Sequence, residues 1–110
     1  MQRISLEALA RQQIEQAATR GGGHTADTVY GGHEKVLRQT VIGMIAGSRL
    51  GDHPNPGEAT IQVLSGRVRL NFGDNSWEAR TGDLLIVPDG THSLDALEDS
   101  AVLLTVGKLH

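Results

Sequence analysis

From Leu6 onward, apolar residues recur three and four positions apart, through Leu9, Ala10, Ile14 and Ala17, with Gln13 on the same stripe. That spacing is the signature of an amphipathic helix, and Ser5, just ahead of it, is a favourable N-cap. The pattern predicts a helix over residues 5–20. A helix this short is marginal alone in water, so its apolar stripe must lie against the domain's own sheet or against another subunit. Gly21-Gly22-Gly23 ends it, because glycine takes the left-handed backbone at a helix terminus without a Cβ clash. Residues 21–28 then read as a linker, dividing the chain into a helix-and-linker segment (1–28) and a β domain (29–110). Beyond Val29 the period changes from three or four to two. Val36–Ile45 is rich in β-branched residues, Ala59–Leu64 and Arg67–Phe72 flank Ser65-Gly66, Leu84–Val87 is an unbroken apolar run, and Leu103–Val106 closes the set. Glycine, proline, asparagine and aspartate mark turns between them at short intervals, as in Gly31-Gly32, Gly51-Asp52, Gly73-Asp74-Asn75 and Thr81-Gly82-Asp83. Seven or eight short strands with glycine-rich turns predict an all-β sandwich or barrel preceded by one α-helix.

Alternation also assigns faces. In Arg67–Phe72, Val68, Leu70 and Phe72 share one side while Arg67, Arg69 and Asn71 share the other, which reads as a solvated sheet face. Trp77, between polar neighbours, reads as the cover of a sheet edge.

Composition narrows the function classes. A length of 110 residues allows one small domain. A net charge of −3 and only three aromatic residues (Tyr30, Phe72, Trp77) supply neither the basic patch nor the stacking platform that nucleic-acid binders use. No stretch is long and apolar enough for a membrane span, and the charged first twenty residues are unlike a signal peptide, so the expectation is a cytoplasmic protein. The absence of cysteine removes thiolate metal sites and thiol nucleophiles, which leaves histidine, carboxylate and amide as the available ligands. No GxSxG elbow, phosphate loop or HExxH helix is present.

Two glycine-bounded segments carry histidine beside other ligand-capable groups. The first holds Gly47, His53, Asn55, Ala59 and Gly66; the second holds Gly82, Pro88, Asp89, Gly90, Thr91 and His92. In this order, and with VLSG and GDLLIVPDGTHSL as they stand, the pair resembles the two motifs of the cupin superfamily, RmlC-like jelly rolls of the small single-domain kind. The resemblance implies a double-stranded β-helix (a jelly-roll barrel) in which the histidines of both motifs face a common pocket. It also implies that residues 94–106 form the last hairpin, turning at Glu98-Asp99-Ser100. Cupins typically hold a metal with two histidines and a glutamate from the first motif and a histidine from the second. Carried over, His53 and His92 match the first and last of these, while Asn55 and Ala59 stand at the other two positions.

The resemblance therefore implies His53 and His92 as ligands of a divalent transition metal (zinc, manganese, iron or nickel), with the ligand set incomplete. Glu58 should point out of the barrel if Ala59 points in, since neighbours along a strand face opposite ways. Gln62 or His33 could supply a further ligand only through unusual geometry. His24 and His110 read as solvated. The turn Pro54-Asn55-Pro56-Gly57 is pre-organised by its two prolines, and the Asn55 amide suits a polar organic molecule or its own loop. Three functions follow. One is a module that binds a small polar molecule through His53, Asn55, Gln62 and His92. Another is a metal-dependent oxygenase or isomerase built on His53 and His92, with a metal-free variant in which His92 is a general base. The last is a protein that works through subunit contacts, and a homodimer is expected under all three.

Overall fold

The computed structural model describes residues 2–53 and 57–108. Helix α1 (Leu6–Thr19) opens the chain as its periodicity predicts. The Ser5 hydroxyl accepts a hydrogen bond from the Ala8 amide at 3.2 Å, satisfying one of the free N–H groups of the first turn. At the other end the Arg20 amide donates to the Gln16 carbonyl.

Nine strands follow: β1 (His24–Tyr30), β2 (Leu37–Met44), β3 (Arg49–His53), β4 (Gly57–Ser65), β5 (Arg67–Phe72), β6 (Asn75–Arg80), β7 (Leu84–Ile86), β8 (His92–Ala96) and β9 (Ser100–Lys108). They form two antiparallel sheets, ordered β1-β2-β9-β4-β7 and β3-β8-β5-β6. The inner faces pack on each other. Met44, Val63, Val68, Leu70 and Val102 are buried at the centre, each from a strand on which alternate residues face inward. The predicted inward side of β5 is confirmed for Val68 and Leu70.

The helix stripe lies against the chain's own larger sheet, on its outer face. Gly43 of β2 makes this possible, since a Cβ there would run into the Gln13 backbone. Ala10, Gln13 and Ala17 are buried in the contact, and the Thr25 hydroxyl sits 2.8 Å from Gln13 Oε1.

Three strands differ from the expectation. β1 begins at His24, inside the segment read as a linker, so only residues 20–23 separate helix from sheet. β3 and β6 lie in stretches read as turns and polar chain. All three are edge strands, and an edge needs fewer apolar residues because one flank and often one face stay in water. The last hairpin forms as expected, β8 turning into β9 through Leu97–Asp99.

Candidate functional site

A cavity of about 500 Å³ lies between the two sheets. Along most of its length the wall is aliphatic. β2, β9 and β4 contribute Ile42, Val102, Leu104 and Ile61 from one sheet, and β3 and β8 contribute Leu50 and Leu94 from the other. These side chains reach the cavity because the register of the larger sheet aligns its inward positions in transverse rows. Ile42 is opposite Val102, and Leu104 is opposite Ile61.

The last such row is Arg38, Val106 and Ala59, on β2, β9 and β4 in turn. All three line the cavity. Neighbouring strands are ~4.8 Å apart, which places the Arg38 and Ala59 backbones ~10 Å from each other across Val106. Arg38 is half-buried and, among the described residues, has neither an ion pair nor a side-chain hydrogen bond. β2 and β3 join through the turn after Met44, and β3 runs back toward the Arg38 end. There His53 is the register partner of His92. The two motif histidines are thus adjacent in backbone across β3 and β8. The His92 ring lines the cavity, and its Nδ1 lies 3.3 Å from the Gly90 carbonyl, which favours the proton on that nitrogen. The His53 side chain and Asn55 lie outside the described residues.

Gln62, expected at the pocket, does not reach it. It is exposed on the outer face of β4, between Ile61 and Val63, which both point in. Strand parity requires this, because the inward positions of β4 are 59, 61 and 63. Glu58 is exposed, as that parity predicts, and His33 is exposed away from the cavity. His24, read as solvated, is indeed exposed but also borders the cavity, because β1 pairs with β2 and turns His24 and Ala26 toward it. Arg38 escaped the sequence reading. The signal was available in the run Val36–Ile45, where positions 38, 42 and 44 share parity, so an arginine stands on the face of Ile42 and Met44.

The described lining does not by itself make a metal site. No group of three or more His, Cys, Asp or Glu side chains is gathered among the described residues. The glutamate position is the methyl of Ala59, and the nearest charged side chain along that row is the cation Arg38. A guanidinium without a carboxylate partner raises the cost of a divalent ion beside it.

A second polar cluster sits on the outer face of the smaller sheet. Asp95 of β8 faces Arg49 of β3 and Arg69 of β5 in register. Arg49 Nε and Nη2 bond the two carboxylate oxygens at 2.6 and 3.1 Å, Arg69 adds 3.2 Å and Asn71 2.9 Å. These donors, Arg49 foremost, hold the Asp95 carboxyl down at about 2 and outweigh the opposing effect of burial. The face read as merely solvated therefore carries an ion-paired ladder across three strands.

Residues 40–106 match the family model described as Cupin domain, more than half of the chain. No curated protein matches. Among solved structures, a conserved protein of unknown function from Streptococcus pyogenes is 25% identical, with a TM-score of 0.73 over 83% of this chain and 79% of that one. An RmlC-like cupin protein from Desulfovibrio desulfuricans is 26% identical, with a TM-score of 0.68 over 77% of this chain and 82% of that one. A single-site mutant of salicylate 1,2-dioxygenase from Pseudoaminobacter salicylatoxidans is 18% identical, with a TM-score of 0.72 over 88% of this chain and 31% of that one, and shares the fold alone. No helix among the described residues is long and apolar enough to cross a membrane.

Proposed function

We propose that this chain, which belongs to the cupin domain family, is a binding module that takes a small organic molecule into its barrel cavity without needing a metal ion. The observation that carries this reading is the cavity itself. Its volume of about 500 Å³ falls in the range of small-molecule sites, and its aliphatic wall is interrupted only by Arg38, His92 and His24 among the described residues. Such a lining suits a guest with an apolar body and one polar end, a narrower class than the polar molecule expected from the motifs. An apolar wall supplies affinity by burial, and the few nitrogen donors fix orientation.

A metal-dependent oxygenase or isomerase would need a carboxylate or a further imidazole where Ala59 and Arg38 stand, so the lining favours binding over that chemistry. The module is also expected to pair with a second copy through edge strand β7, where Leu84 and Ile86 are 58% and 70% exposed.

The test is a thermal-shift screen of small organic compounds run with and without a strong chelator. Chelator alone should leave the melting temperature unchanged, and hits should persist in its presence. Ala59→Phe, which fills the Arg38 end of the cavity, should abolish the hits while the protein stays folded. A melting temperature that collapses with chelator and recovers with one metal would reject the reading.

A further inference from the structure

The lining of the cavity is unbalanced in charge among the described residues. Among the described residues that line it, Arg38 is the one of permanent charge, and none is an aspartate or glutamate. Elsewhere in the protein a half-exposed arginine on a sheet finds a carboxylate: Arg49 and Arg69 share Asp95, and Arg67 approaches Glu78 and Glu98. Arg38 finds none among the described residues, although it is half-buried beside aliphatic walls, where a guanidinium gains most from an anionic partner.

Resting on the binding-module reading, we propose that the cavity is a site for a monocarboxylic acid with an aliphatic body, the carboxylate paired with the Arg38 guanidinium and the hydrocarbon lying along the aliphatic wall. The transverse register supports the placement. Arg38 and Ala59 flank Val106, and the Ala59 side chain in that row is only a methyl, so among the described lining residues Arg38 is the charged group that would face the carboxylate. His92 borders the same cavity. Further along the same strands, Ile42, Val102, Leu104 and Ile61 provide a purely aliphatic surface for the chain of the acid. A planar guanidinium fork pairs with a carboxylate through two parallel N–H···O bonds, which a point charge such as lysine cannot reproduce.

The test is titration of the full chain with octanoate, 1-octanol and octylamine, which share a hydrocarbon body and differ in the charge of the head, read by calorimetry and thermal shift. Octanoate should bind at least tenfold more tightly than octanol, and octylamine more weakly than either. Arg38→Gln should reduce octanoate to the affinity of octanol and leave octanol unchanged. Arg38→Met, which keeps the length of the side chain and suits an apolar wall, provides the same comparison if the glutamine variant folds poorly. Equal binding of octanoate and octanol to the unsubstituted protein overturns the carboxylate assignment and leaves the binding-module reading standing. A preference for octanoate that survives both substitutions overturns the role of Arg38. Failure of all three compounds to bind overturns the assignment of an aliphatic acid, and a compound screen that also yields no hit shows that the binding-module reading has failed with it.

Discussion

Asp95 shows how much one side chain does on the outer face of the smaller sheet. It is an anion with little access to water, held by two guanidiniums and an amide on neighbouring strands. Its folded pKa of about 2 lies below the ordinary value for aspartate near ~3.9, so folding favours the charged form. The stabilisation is complete above about pH 5 and is lost as pH falls from about 4 toward 2. Asp95→Asn is expected to lower stability at pH 7 by about 1–2 kcal/mol, since charge-assisted hydrogen bonds are lost from arginines that remain partly hydrated. The gap in melting temperature between variant and parent should close as pH drops through that window. A gap that stays constant from pH 7 to pH 2.5 would show that the carboxylate's charge is not what the cluster uses. A periodicity argument places Asp95 outward, opposite Leu94 and Ala96, but only the pairing of β8 with both β3 and β5 brings two arginines to it.

Among the elements, the helix and its sheet depend on one missing side chain. Gly43 lies near the end of β2, and within a strand glycine is ordinarily a weakness, yet its lack of a Cβ lets the α1 backbone at Gln13 come down onto β2. Gly43→Ala should push the helix outward and cost about 1–3 kcal/mol, as overpacking does in a close contact. Hydrogen exchange in α1 should rise selectively, while amides of β5 and β8 keep their protection. Uniform loss of protection would mean that the helix is no separable unit. The helix itself was readable from its cap and stripe, and the central strands from their β-branched runs. The edges were not. The sequence HTADTVY of β1 carries too few apolar residues to declare a strand, because edge pairing with β2 requires backbone groups rather than side chains.

Viewed as a whole molecule, the barrel presents an apolar edge at β7. β7 is only three residues long, which limits strand-to-strand growth, but its Leu84 and Ile86 are exposed. Light scattering of the intact chain is expected to give twice the chain mass, and Leu84→Glu with Ile86→Glu should give the single-chain mass without loss of fold. A mass unchanged between the two proteins would remove β7 as the pairing surface.

Local chemistry in the chain was enough to determine its helix, its central strands, its inward and outward parity and its two histidine motifs. Each of these depends on neighbours a few positions apart, through capping, side-chain period or turn geometry. What surrounds the cavity had to await the tertiary structure. Arg38 meets Ala59 across Val106 and His24 comes to the cavity edge, through pairings between strands up to tens of residues apart. Register and sheet order set those neighbours, and they are chosen by the burial of the whole core rather than by any short stretch of chain.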